Sequence, residues 1–245
     1  MTGSVSELRV SPSLAACPAS GAELVQERLP FTVTVARSEQ DLRDAVRVRQ
    51  SAYARHLPRF AETLGEPEPA DREPGNWVLL ARSKLDGSPL GSLRIQTNAR
   101  RPLDLEASMS LPPELANARL AEATRLGLAQ GVSGRLVKAA LFKAFYLICR
   151  SQGVDHMVIT GRTPIDRQYQ RLLFEDVWAP HQTYAMAHVH QLPHRVMHLH
   201  VPGAQARWQA ARHPLLNFMC GTEHPDLQLP ASAPAAAPVA ARALH

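Results

Sequence analysis

A carboxylate and a guanidinium three residues apart on one strand carry the first hint of chemistry. Glu122 and Arg125 lie within A-R-L-A-E-A-T-R-L-G-L-A-Q-G-V-S-G, residues 118–134. Leu120, Thr124, Leu126 and Leu128 alternate with period two, which predicts one strand face with Glu122 in its middle. A carboxylate there is either paired or functional. Spacing of three puts Glu122 and Arg125 on opposite faces of a flat strand, so their cooperation needs a bulge, expected within 124–128. Gly127, Gly131 and Gly134 mark a turn where backbone can approach a ligand closely. Ser133 can cap the next helix, whose first N–H groups point into the same space.

Other polar residues fall on faces where apolar ones are expected. Leu42, Ala45, Val46, Arg49 and Tyr53 share one stripe of a helix over 39–56, opened by a capping box from Ser38 to Asp41. Arg49 on that stripe needs a carboxylate, either its own or a ligand's. Asp71 lies in the Pro-rich connection 57–75, long enough to be a substrate lid. Arg94 lies inside a strand over 90–97, the second arm of a hairpin from 77–81 through Asp86-Gly87. Arg135, Lys138, Lys143 and Arg150 fall opposite the apolar stripe of a helix over 134–151, with no acid among them. That face is a solvated surface or a dock for an acidic partner. His188 and His190, then His198 and His200, repeat at i, i+2 on two expected strands, 183–191 and 195–201, joined at Leu192-Pro193. Such pairs could bind a metal, but no carboxylate or cysteine completes a ligand set, so no metal is expected.

The elements that must position these residues begin after Pro30. Phe31, Val33 and Val35 form a half-buried strand. A strand over 154–161 completes a β-α-β crossover with the 134–151 helix, and Pro164 opens a helix over 165–173. Residues 203–219 have a helical pattern. The expected layout is a flexible arm over 1–29, one domain over 30–222, and a disordered Ala/Pro-rich tail over 223–245. With 245 residues and 45% hydrophobic content the chain can bury a full core. No apolar run spans a membrane and no secretory signal opens the chain, so no integral membrane segment and a cytoplasmic location are expected. Cys17, Cys149 and Cys220 form no CxxC, in keeping with reduced thiols. A net charge of +5 favours acidic partners. The basic face lacks interleaved aromatics, so nucleic acid is not expected.

The order of elements over 31–201 resembles the Gcn5-related N-acetyltransferase (GNAT) fold. That implies an α/β (α+β) class, with a mixed, mostly antiparallel sheet and helices on both faces. R-Q-S-A-Y at Arg49 to Tyr53, Asp71, G-S-L-R at Gly91 to Arg94 and E-A-T-R at Glu122 to Arg125 are similar to the ordered signature of two related groups. These are the acyl-homoserine-lactone synthases and the long-chain N-acyl amino acid synthases of the FeeM type. The segment Arg167 to Phe174 also resembles the helix before the last hairpin of the latter. Where homoserine-lactone synthases carry a tryptophan beyond the aromatic matched by Tyr53, this chain reads Leu57-Pro58-Arg59-Phe60, which argues against S-adenosylmethionine. Ala129 and Val132 stand at key places of the usual coenzyme A phosphate loop, which favours acyl carrier protein as donor.

The resemblance implies transfer of a long-chain acyl group from a carrier-protein phosphopantetheine thioester to the amine of an amino acid, with no resident cofactor. Glu122 would be the base, Arg125 its orienting partner, and the N–H groups of Gly127 and Leu128 the oxyanion donors. Arg49 or Arg94 would hold the acceptor carboxylate and Asp71 contact its ammonium, with Tyr53 also binding substrate. Arg135, Lys138, Lys143 and Arg150 would dock acyl carrier protein. The alternatives are an acyl-homoserine-lactone synthase, a CoA-dependent acetyltransferase, and a non-catalytic binder of acyl carrier protein.

Overall fold

The computed structural model describes residues 25–131 and 134–230. Most of the expected arm, Cys17, the Ser133 cap and the chain after 230 lie outside the described residues. In chain order the elements are β1 (Val25–Gln26), β2 (Phe31–Val35), α1 (Glu39–Ala54), α2 (Pro58–Glu62), β3 (Trp77–Ser83), β4 (Pro89–Thr97), α3 (Pro113–Ala116), β5 (Leu120–Leu128), α4 (Gly134–Ser151), β6 (His156–Gly161), α5 (Ile165–Arg171), β7 (Glu175–Asp176), β8 (Tyr184–Met186), β9 (Leu192–His200), α6 (Ala204–Ala210), β10 (Thr222–Glu223) and β11 (Leu227–Gln228).

The main sheet runs β11-β2-β3-β4-β5-β6-β9-β7, with β8 also on the outer edge of β9. Within it β5–β6 and β11–β2 are parallel, and the other pairs are antiparallel. Helix α4 makes the crossover that the parallel β5–β6 pair requires. It packs Val137, Leu141, Phe145 and Ile148 on one face of the sheet, with Trp208 of α6 in the same core. Helices α1 and α2 cover the other face, where Leu42, Ala45 and Phe60 are buried. Helix α1 starts where the capping box sets it: the Asp41 amide donates to Ser38 Oγ, and the Ser38 amide to the Asp41 carboxylate. A mixed, mostly antiparallel sheet with helices on both faces is the expected GNAT arrangement.

Two irregularities in β5 organise the site. Ser92 pairs with Gly127 but Arg94 with Thr124, so Leu93 of β4 faces two residues of β5, Arg125 and Leu126. The extra residue is the expected bulge, with Arg125 at φ 56°. It turns Arg125 to the α1 face beside Thr124 and sends Leu126 and Leu128 to the α4 face, so these two leucines do not share the face of Glu122. Second, β5 pairs with β6 only from Leu120 to Ala123. Beyond that point the strands part, leaving Thr124–Leu128 facing Thr160–Gly161 across a gap.

Three expectations are corrected here. Lys143 is buried, not on a docking face: its ammonium donates to the carbonyls of Phe218 and Thr222 and meets His224 Nδ1. A desolvated ammonium needs several acceptors, and this chain supplies them from one later segment. That segment continues past the expected boundary at 222. β10 pairs with β1, β11 extends the sheet beside β2, and buried Asp226 holds the Leu29 amide and Lys84. Residues 223–228 are therefore paired, as are 25–29 of the expected arm. Finally, the 183–191 strand shrinks to β8. Met186 pairs with Leu192, and the intervening turn carries His188, with His190 in the left-handed region. His188 and His190 thus share no strand face.

Ending the chain at Glu223 rather than Pro230 removes the edge strand and the Asp226 contacts. We expect a loss of about 2 kcal/mol or more, about 4–8 °C in melting temperature, between these two truncations. Equal melting temperatures would show that β11 contributes nothing.

Candidate active site

A cleft of about 1030 Å³ opens where β5 and β6 part. Its walls are Leu126 and Leu128 of β5, Thr160 and Gly161 of β6, Tyr53 of α1 and Leu57 after it, and Ile165, Gln168 and Tyr169 of α5. No Asp or Glu lines it, whereas Arg55, Arg135, Lys138 and Arg162 do. Lys138 has its pKa lowered by burial and by its neighbours Arg135 and Arg171. At the floor of the cleft lies a smaller chamber of about 60 Å³, bounded by Thr124, Arg125, His188, Val189 and His194. Tyr53, Leu57, Leu126, Thr160, Tyr169 and His194 belong to both spaces.

Behind the chamber three arginines and three acids form one network, in which the arginines and Asp71 are buried and Glu68 and Asp104 are partly exposed. Arg49 places Nη1 2.8 and 2.9 Å from the two oxygens of Asp71, and both side chains are shut off from water. Arg94 bonds Thr124 Oγ1 through Nε, Glu68 through Nη1 at 2.9 Å and Asp104 through Nη2 at 3.1 Å. Its Nη1 also comes within 3.5 Å of Asp71. Arg125 grips Glu68 in bidentate fashion at 2.7 and 2.7 Å, donates to the His188 carbonyl, and lies over the Phe60 ring. Burial alone would raise the Glu68 pKa, but Arg125, then Arg94 and Arg49, drive it down to about 2. The bulge is what makes this possible, since a regular strand would aim Arg125 at α4.

Glu122 stands next to this network without joining it. It is wholly buried; Oε2 accepts from the Leu105 amide at 3.2 Å and Oε1 has no partner. Burial, then the negative charge of Asp104, push its pKa up to about 8. The three arginines are already matched by three acids, so Glu122 is the unmatched carboxyl and keeps its proton at neutral pH. The Leu103–Leu105 turn covers it, and it lines neither the cleft nor the chamber.

The structure therefore brings Arg49, Asp71, Arg94 and Arg125 into one network, Asp71 pairing with Arg49 and Arg94, and Glu68 linking Arg94 to Arg125. Tyr53 and Leu128 line the cleft. Gly127 does not: a Cβ there would sit 2.8 Å from Arg49 Cα, so glycine lets α1 lie against the sheet. Of the four expected docking cations, Arg135 and Lys138 stand at the cleft mouth, while Arg150 lies over Tyr146 at the far end of α4. Sequence reasoning passed over Glu68, Asp104, Arg162 and His194. Glu68 could have been found: E-P-A-D places it one tight turn before Asp71, and its amide is held by the Asp71 carboxylate. Among the described residues no His, Cys, Asp or Glu cluster has the geometry to hold a metal ion. No helix among them is long and apolar enough to cross a membrane.

Residues 44–200 match the family model of N-acyl amino acid synthase FeeM. The chain belongs to the FeeM N-acyl amino acid synthase family. It is an N-acyltransferase. No curated protein matches it in sequence. Among solved structures, FeeM itself, an N-acyl amino acid synthase from uncultured soil microbes, aligns with a TM-score of 0.58 at 17% identity. That alignment covers 77% of this chain and 97% of FeeM. A CoA-dependent acyl-homoserine lactone synthase, BjaI, solved with MTA, aligns with a TM-score of 0.53 at 13% identity, covering 82% of this chain and 94% of BjaI. At these identities the structural likeness speaks for the shared fold, in which this family member keeps its cleft at the β5–β6 split.

Two variants test the electrostatics. Asp71→Asn leaves Arg49 with no carboxylate in a dry site and should cost about 3–5 kcal/mol in denaturant unfolding; a cost below 1 kcal/mol would show the pair to be solvated. Glu122 titrates near 8 when folded against an ordinary value of 4.5. The folded state thus holds the extra proton between those values, and stability falls as pH rises across that window. Glu122→Gln escapes the loss, so its stability relative to the parent should rise with pH by on the order of 1 kcal/mol per unit. A pH-independent difference in melts at pH 5 and pH 8 would mean that Glu122 is ionised throughout.

Proposed function

We propose that this N-acyltransferase moves a long-chain acyl group from an acyl carrier protein thioester to the amine of an amino acid. The observation that carries the reading is the charge of the cleft: four cationic side chains at an otherwise largely apolar opening, with no carboxylate in the lining. A phosphopantetheine arm has the matching chemistry, a single phosphate at the mouth and a thioester reaching inward. Arg135 and Lys138 suit that phosphate and the acidic surface of a carrier protein. Leu57, Leu126, Leu128 and Ile165 offer the acyl chain an apolar wall.

The acceptor must bring a carboxylate and a neutral amine to the thioester carbonyl. Arg49 and Arg94 were the expected holders, but each is committed to Asp71, Glu68 or Asp104 inside the network, and neither lines the cleft or the chamber. Arg162 makes no ion pair among the described residues and stands on the cleft rim, so we assign the acceptor carboxylate to it. Tyr53, expected to bind substrate, lines both the cleft and the chamber and would stand beside the reactants there. The Arg–acid network then serves to hold the floor of the chamber rigid while the reactants align.

The test is mass spectrometry of products formed from decanoyl-acyl carrier protein, or decanoyl-CoA, with the twenty amino acids. We expect N-decanoyl amino acids, with the carrier-protein donor preferred. No acylated amino acid from either donor would overturn the reading, and a preference for CoA would replace the donor. Reversing charge at Arg135 and Lys138 should slow carrier-protein association about tenfold or more at low salt, with the difference shrinking as salt is added. Unchanged association kinetics would move the dock elsewhere.

A further inference from the structure

We infer that His194 is the group that takes the proton given up by the acceptor amine, an assignment that rests on the acyl-transfer reading above. Attack on a thioester requires somewhere for an amine proton to go. Neither the cleft nor the chamber has an Asp or Glu in its lining, and Glu122 is sealed behind Leu103–Leu105. Of the other groups in the two lining sets that can take a proton, Lys138 is held at the cleft mouth by Gln168 Oε1 and lines no part of the chamber, which leaves three histidines. His56 lies exposed at the cleft opening. His188 lines only the small chamber, its Nδ1 is sealed without a partner, and burial and then Arg125 push its pKa down to about 4. His194 alone lines both spaces, where an amine entering by the cleft and a thioester crossing the split would meet.

The ring of His194 is set in one form by its backbone. Nδ1 lies 2.8 Å from the Leu192 carbonyl, which can only accept, so Nδ1 carries the proton and Nε2 the lone pair. Nε2 makes no hydrogen bond among the described residues and is the nitrogen left for a ligand. The next residue fixes the strand: Arg195 joins Asp176 of β7 at 2.7 Å and Asp166 of α5 at 3.0 Å. The titratable or charged groups facing this ring are Tyr53 from α1, Arg125 from β5, Arg162 after β6, Tyr169 from α5, His188 from the turn before β9, and Tyr184 from the opposing β8. Burial, with a further push from Arg162, outweighs the Leu192 bond and keeps the imidazole neutral at pH 7. A histidine poised in this way is a base that loses its function only in acid.

The step balances without an added reagent. The amine nitrogen bonds to the thioester carbonyl carbon and its proton passes to Nε2. The C–S bond then breaks with its electron pair on sulfur, and the imidazolium returns the proton to that thiolate. The products are an amide and a free thiol.

His194→Asn keeps a donor for the Leu192 carbonyl while removing the acceptor nitrogen. With decanoyl-acyl carrier protein and the amino acid that yields product in the parent assay, we expect kcat to fall about 100-fold. KM for the amino acid should stay within about threefold, and the acid limb of the pH profile should disappear. Parent-like turnover with the acid limb intact would overturn the role of His194 and leave the acyl-transfer reading standing; an inactive parent would overturn both. A readout independent of turnover is nitrogen NMR of the ¹⁵N-histidine-labelled parent chain. It should show His194 neutral and protonated at Nδ1 at pH 7, and an Nε2–H tautomer or an imidazolium would overturn the assignment even if the variant fails to fold.

Discussion

The exchange of charge between three arginines and three acids inside the α1 face is what the rest of the site depends on. Arg49 comes from a helix, Arg94 and Arg125 from adjacent strands, and Glu68, Asp71 and Asp104 from two connections with little regular structure. Each connection is therefore tied down by charge rather than by a ladder of backbone bonds. Desolvating Arg49, Asp71, Arg94 and Arg125 is costly, and their ion pairs offset that cost, although Arg49 Nε and Nη2 stay without a partner. This explains why Glu122, a seventh charge with no cation left for it, is neutral. It also explains the left-handed residue in β5, since without that bulge one of the three arginines would face the wrong way.

Much of this was legible in the sequence, and the illegible parts have physical reasons. The strand around Glu122, the capping box at Ser38, the crossover helix and the need for a bulge follow from period, spacing and the energetics of a buried charge. The direction of the strand after the bulge does not, because one inserted residue reverses the parity of everything that follows. Leu126 and Leu128 were placed on the wrong face for that reason. Lys143 was misplaced because it lies opposite the apolar stripe of α4, where lysines are normally solvated. Nothing in its own helix announces that residues 218–224 will fold over it. Arg49 and Asp71 each carried a signal of burial or function, but that they pair with each other is set by the tertiary fold, which brings the 57–75 connection over α1.

Opening the sheet at β5–β6 gives the molecule its working space without a separate domain. The same strand thus does two jobs along its length. From Leu120 to Ala123 it is an interior strand paired on both sides, and from Thr124 onward it is a wall. The changeover coincides with the bulge, so the geometry that aims Arg125 into the network is also the point at which the strand leaves its neighbour. Placing His194 on β9, one strand further, lets a rigid element rather than a loop present an imidazole to that space.

The pairing of β11 with β2 bears on how the molecule is made. Strand β2 is among the first described residues to be synthesised, and its outer neighbour, together with the carbonyls that receive the Lys143 ammonium, arrives only when residues 218–228 do. Until then the nascent sheet has a bare edge ready to pair with any other extended chain, and a lysine in its core with too few acceptors. The late segment works as a clasp: it covers the edge and supplies those acceptors together.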